Sequence, residues 1–286
     1  MIVLNAALLG LALGALYAML GVSFSVIYTP TKIFHFAHGA VFAASGYAGY
    51  AFLEILHWNI VIAVLGAMGV GVVLALAVEF GIYLPLRRRH ASHLIVFIAS
   101  ASVLSLVTAI IALAFGVSQV ALPTPIRPIA EGAPLTNEQL TSLIVAVVII
   151  VPLAIFLKRS PWGIRFRAVG DSPAATVRRG VNVPNVYVVS FVLGSVLVVP
   201  AALLQGWAAG FQPEMGFNAA LIAIATTLVA QGSSILAVAA VGTGMGLLQG
   251  LSLLVVPSGW QQGITYAVLL VVVVLATLLR KGAVLR

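Results

Sequence analysis

An all-α, polytopic membrane fold is what this sequence predicts, and three observations predict it. Hydrophobic residues make up 62% of the chain and charged residues only 7%, with a mean hydropathy of +1.20. Such a composition leaves too little polar surface to coat a globule in water. The apolar stretches are continuous and approach or exceed the roughly 20 residues a helix needs to cross a bilayer, where a membrane β-barrel would show short alternating segments. Third, nearly all of the 14 lysines and arginines fall in connections that can share one side of such a bundle.

The first apolar run covers about residues 3–28 and is followed by the polar break TPTKIFHFAHG, whose Lys32 places it on the cytoplasmic side. The N-terminal MIVLNAALLG has no basic n-region and reads as part of this span rather than as a cleaved signal. A second run, about 37–53, leads to Glu54, His57 and Trp58, and a third, about 59–85, ends at the cytoplasmic anchor Arg87, Arg88 and Arg89. A fourth run, about 94–118, opens into an outer loop at about 119–139 that is rich in proline and carries one basic residue, Arg127. The fifth, about 140–157, returns to a basic cytoplasmic loop at about 158–185 with Lys158, Arg159, Arg165, Arg167, Arg178 and Arg179. A sixth, about 186–205, leads to the outer segment GWAAGFQPEMGF.

Residues 217–230 are apolar but short, since about fourteen helical residues rise only some 21 Å. Charge arbitrates. If this segment crosses, and the runs near 235–256 and 262–279 cross too, then Arg280, Lys281 and Arg286 join the other basic loops and only Arg127 lies outside. The expectation is about nine membrane segments, some short or broken, in a single transmembrane domain spanning residues 1–286, with the N-terminus out and the C-terminus cytoplasmic.

Several function classes lack their residues. There is no cysteine, so thiolate metal sites and thiol catalysis are excluded. The net charge of +8 sits in short loops without interleaved aromatic platforms, which argues for membrane topology and against nucleic acid. No G-x-x-x-x-G-K-[ST] loop occurs, and no cytoplasmic loop is large enough for a nucleotide-binding domain. An intramembrane enzyme would need clustered nucleophile, base or metal ligands, and neither H-E-x-x-H nor a carboxylate pair occurs in the spans.

The most informative break in the apolar pattern is GIRFRAVGDSPAATVRRGVNVPN. Ser172 or Asp171 suits an N-cap and Pro173 the first helical position. Arg178 and Arg179 then meet the negative end of the helix dipole, Gly180 can close the helix in the left-handed conformation, and Pro184 prevents its extension. So short a helix is marginal alone and needs something to pack against. It reads either as an interfacial turn on lipid headgroups or as a docking element.

In this loop Gly163, Arg165, Arg167, Asp171, Ala174, Ala175 and Gly180-Val181-Asn182 resemble the cytoplasmic loop of permease subunits of ATP-binding-cassette importers for branched-chain amino acids. The early segment IFHFAHGAVFAASGYAGY, residues 33–50, is similar to that family's Asn-Phe-Ala-His-Gly signature. Length and apolar layout agree over most of the chain. Two positions depart from the pattern: His35 stands where the family has Asn, and Ala230-Gln231-Gly232-Ser233-Ser234 lacks the family's double glycine. Both bear on which molecule is carried.

The resemblance implies a permease without enzymatic activity, in a bacterial plasma membrane, that binds no cofactor itself and relies on ATP and Mg on two separate ATPase subunits. A homologous second permease subunit, or a second copy of this chain, and an extracytoplasmic substrate-binding protein would complete the assembly. Residues 172–179 are the implied coupling helix, with Arg165, Arg167, Asp171, Ser172, Pro173, Arg178, Arg179, Gly180 and Asn182 as the coupling residues. His35, His38, Gly39, Gln205, Asn218 and Gln231 are candidates for the substrate path.

Inside the spans, Glu79 is the sole acid and lies about two turns from Arg87, close enough to pair with it. His35 and His38 share a helical face and could bind metal or relay protons, but no carboxylate or thiol completes a site, so none is assigned. Asn5, Gln205, Asn218, Gln231 and Gln249 are amides that can bridge helices, and Gly10, Gly14, Gly242, Gly246 and Gly250 have the spacing of close helix contacts. A self-sufficient secondary transporter or channel for a small neutral or zwitterionic solute stays open as the alternative.

Overall fold

The computed structural model describes residues 2–122, 136–230 and 234–257, with eight further positions between 260 and 274. Most of the outer loop, Gln231, the greater part of the run 262–279 and the three basic residues of the tail lie outside the described residues.

The chain opens with α1 (Ile2–Thr31), one helix running past the expected end near residue 28 and carrying Pro30 in its last turn. Thr29 and Thr31 each donate their hydroxyl to the carbonyl four residues earlier, at 2.7 Å, which keeps that last turn polar but closed. Residues 32–37 then lead into α2 (His38–Tyr50), which ends in a π-helical turn, Ala51–Ile55. The third span comprises α3 (Ile60–Val78), a second π-helical turn at Glu79–Tyr83, and α4 (Leu84–Arg88). Helix α5 (His93–Phe115) follows, then α6 (Asn137–Arg159), whose Thr136 and Gln139 form a reciprocal capping box.

Two short helices come next, α7 (Pro161–Asp171) and α8 (Pro173–Arg178), then α9 (Val183–Ala209), α10 (Met215–Val229) and α11 (Ile235–Ser252). Six described helical segments are long and apolar enough to cross a membrane, and α10 is the short apolar one. With α2 they reproduce the first eight runs read from the sequence in order and approximate length.

The largest packing unit is α1 against α11, and glycines decide it. A Cβ on Gly10 would lie 2.9 Å from Gly246 O, one on Gly14 2.7 Å from Thr243 O, and one on Gly242 2.6 Å from Ala18 N. Only hydrogen at these positions lets the two backbones approach so closely. The small-residue stripes predicted on residues 10–14 and 242–250 therefore face each other.

Charge divides the bundle into two ends. Every described lysine and arginine belongs to the end formed by the last turns of α1, α4 and α6, by α7 and α8, and by the start of α9. Arg87 lies over the Tyr187 ring of α9 at 4.5 Å, and Gly170 of α7 is packed against the carbonyl of Thr29. At the opposite end, Val120 and Phe211 exchange backbone hydrogen bonds of 3.1 and 2.6 Å, tying the exit of α5 to the exit of α9.

Candidate functional site

At the basic end, α7 and α8 form a helical hairpin. Ser160 Oγ accepts from Gly163 N at 3.2 Å and Pro161 takes the first position, where no N–H is needed, so α7 starts there. Gly163, Phe166 and Val169 are buried, and the two glycines at 163 and 170 bring α7 onto the backbones of α6 and α1. Arg167 donates to Leu157 O at 2.9 Å, satisfying one of the free carbonyls in the last turn of α6.

The backbone is extended at Ser172, whose Oγ accepts from Ala175 N at 3.3 Å. Of the two caps open in the sequence, Ser172 is the one used; Asp171 is the exposed last residue of α7. Pro173 opens α8, Arg178 and Arg179 stand exposed at its end, and Gly180 has φ +79°, a left-handed conformation that favours glycine. Thr176 is buried, and its hydroxyl reaches Ala168 O of α7 at 2.8 Å and Ser172 O at 2.7 Å. That tie is the packing so short a helix needs. Asn182 Oδ1 accepts from Asn185 N at 3.1 Å and caps α9. The hairpin thus presents Asp171, Val177, Arg178 and Arg179 outward on a frame fixed to α6, α1 and α9.

The His35 region is a packed polar knot. Tyr83 donates to Ser100 Oγ at 2.8 Å, so His35 Nδ1, 2.7 Å from the Tyr83 oxygen, is the donor there. Ala37 N also donates to Ser100 Oγ, at 2.8 Å. Ser23 gives its proton to Leu20 O at 2.8 Å, so His38 Nε2 donates to Ser23 at 2.9 Å. Both histidines are fully buried, and Gly39 is packed against the backbone of Gly216 in α10. These bonds hold the irregular segment 32–37, whose backbone groups lack a continuous helix to satisfy them. Among the described residues no group of three potential metal ligands occurs. Glu79 pairs with Arg87, as its spacing predicts.

A cavity of about 340 Å³ lies between α1, α2, α9, α10 and α11, in the half away from the basic end. Gln205 and Asn218, singled out in the sequence, line it; His35, His38 and Gly39 do not, and Gln231 is outside the described residues. The lining adds Tyr17, Gln212, Gln249 and Tyr266. Tyr17 donates to Gln249 Oε1, and Tyr266 donates to Asn218 Oδ1. Leu13, Leu20, Phe42, Met215 and Ile222 supply apolar wall, and none of the described lining residues is charged. Volume and lining match a small-molecule site in which a few amides and hydroxyls orient a mostly apolar ligand. Gln249 had a signal in the sequence as an amide within an apolar run; Tyr17 and Tyr266 had none, since only packing brings them to partners 232 and 48 positions away.

Residues 6–275 match the family described as the permease component of the branched-chain amino acid transport system. The chain belongs to that family. It is 25% identical to the high-affinity branched-chain amino acid transport system permease protein LivH of Salmonella typhimurium, over 92% of this chain and 90% of that protein. To the permease protein BraD of Pseudomonas aeruginosa it is 24% identical, over 77% and 76%. Among solved structures it is similar in fold to a chain of PsaBC from Streptococcus pneumoniae in complex with Fab, with a TM-score of 0.54, 13% identity and coverage of 92% and 89%. This family member is a multi-pass membrane protein and a transport permease.

Proposed function

We propose that this chain is the transmembrane subunit of an ATP-driven importer for branched-chain or similar amino acids, and that the uncharged, amide-lined cavity is the part of the path that holds the solute. The cavity carries the reading. A zwitterion with an aliphatic side chain has no net charge, needs both donors and acceptors, and offers apolar surface. Amides and hydroxyls give both hydrogen-bonding senses, and the leucine, phenylalanine and methionine walls take the side chain.

The basic end faces the cytoplasm in this reading, in line with the bias of lysine and arginine toward that side. The α7–α8 hairpin receives the ATPase subunits, which bind ATP and Mg. Because Gly163, Gly170 and Thr176 fix the hairpin to α6, α1 and α7, a push on α8 is passed to the spans rather than absorbed by a loose loop. The opposite end, where the cavity lies, receives the solute from an extracytoplasmic binding protein. A second permease subunit, homologous or identical, completes the membrane part.

The test is uptake into membrane vesicles holding the full complex, with leucine, glutamate and lysine as competing solutes. Gln249→Leu removes one amide and should raise the KM for leucine by about 10-fold or more, the weight of a hydrogen bond to a charged group. An unchanged KM, or equal uptake of glutamate and lysine, would contradict the assignment of this cavity.

A further inference from the structure

A second cavity, of about 410 Å³, opens at the basic end between α1, α6, α7 and the start of α11. Its walls are mostly apolar, with Val26, Ala154, Leu157, Phe166 and Leu236 among them, and two cations line it, Lys158 and Arg167. Ser234, which caps the 18-residue helix α11, also lines it, so the positive end of that helix dipole adds to the two side chains.

Among the described residues, neither cation is in an ion pair. The ion pair among the described residues is Arg87 with Glu79, and the acid of this loop, Asp171, ends α7 in solvent. An apolar cleft with a cationic rim, at the end of a transmembrane bundle, matches a molecule whose anionic head and hydrocarbon chain enter together. The chain's own remaining tail cannot supply it, because Arg280, Lys281 and Arg286 make that segment cationic. Trp162 and Arg165, stacked at 4.9 Å on the same helix α7, put an aromatic–basic anchor at headgroup depth beside it.

We infer that this cavity is a binding site for one anionic phospholipid, with the phosphate between Lys158, Arg167 and the start of α11, and an acyl chain along Phe166 and Leu236. The site is independent of the transported solute and of the solute cavity.

The test is native mass spectrometry of the full-length protein in mild detergent, offered equal amounts of dioleoylphosphatidylglycerol and dioleoylphosphatidylcholine. The wild type should retain a single phosphatidylglycerol with about tenfold or greater preference, as two basic groups near an anionic headgroup would give. Lys158→Gln with Arg167→Gln should abolish the preference. Leu236→Trp, which fills the apolar wall and leaves both charges, should abolish retention. Arg178→Gln with Arg179→Gln, on α8 outside the cavity, should leave lipid retention and the preference for phosphatidylglycerol as in the wild type. Gel filtration establishes that each variant is folded. Equal retention of the two lipids by the wild type, or an undiminished preference in the Lys158 and Arg167 variant, would overturn the assignment. So would displacement of the lipid by glycerol phosphate at equal concentration, which would mean a headgroup-only site, or a bound polypeptide lost with the same substitutions.

Discussion

Replacing Gly246 by alanine adds one methyl group where the backbones of α1 and α11 meet. Its Cβ would fall 2.7 Å from the Gly10 carbonyl oxygen and against the backbone N and Cα of Gly14. Neither neighbour is a side chain that can rotate away, so α1 and α11 must separate. A radial gap of 0.5–1 Å forfeits about a quarter to a half of each dispersion contact along the seam, and overpacking in cores costs about 1–3 kcal/mol. Gly244, two residues away on the same helix, has nothing within 4 Å of its ideal Cβ. Alanine there should instead stabilise by about 0.5–1 kcal/mol, because a helical glycine loses more backbone entropy on folding. The two variants therefore differ by about 1.5–4 kcal/mol, roughly a ten- to several-hundred-fold difference in the folded-to-unfolded ratio under the same conditions. Titration of detergent-solubilised protein with SDS, followed by tryptophan fluorescence and gel filtration, reads this directly. Gly246→Ala unfolding at the same SDS fraction as Gly244→Ala would refute glycine-mediated backbone contact between α1 and α11.

Glu79 is buried and its pair with Arg87 links the second π-helical turn to α4 and, through the Arg87–Tyr187 contact, to α9. Arg87→Gln should destabilise by about 3–5 kcal/mol in the same SDS assay by stranding the carboxylate, and adding Glu79→Gln should recover part of that loss. A double variant as unstable as the sum of the singles would contradict coupling between the two. Thr176→Val keeps the shape of the side chain and removes the hydroxyl that ties α8 to α7. Amide exchange over residues 174–179 should rise about fivefold, the weight of one hydrogen bond of about 1 kcal/mol, while exchange in α1 and α11 stays constant. Unchanged exchange in α8 would mean that the hairpin is held by other contacts.

The spans were legible because hydropathy and the positions of basic residues report membrane crossing directly, and α1, α3 to α6, α9 and α11 follow the apolar runs to within a few residues. The α8 boundaries were legible for a different reason: Ser172, Pro173 and Gly180 each have a local conformational preference that needs no tertiary contact to be read. Helix α7 was missed, since Arg165, Arg167 and Asp171 obscure a helix whose buried face is only Gly163, Phe166 and Val169. The two π-helical turns carry no sequence signal of that kind. For the candidate site, the amides at 205, 218 and 249 stood out against an apolar background, whereas Tyr17 and Tyr266 became lining residues only through packing. His35 and His38 looked equally conspicuous in sequence, and the structure uses their ring nitrogens to fix the irregular chain before α2.

The central claim, that the α7–α8 hairpin couples this permease to a separate ATPase, is tested most directly by purifying the chain in mild detergent from its native membrane, beside a variant with Asp171→Ala, Arg178→Ala and Arg179→Ala. The account predicts that a Walker-motif ATPase is retained by the wild type, is lost from the variant, and that ATP-dependent uptake is lost with it while membrane insertion is unchanged. A chain that purifies alone and transports without ATP, or a triple variant with full ATP-driven uptake, would contradict it.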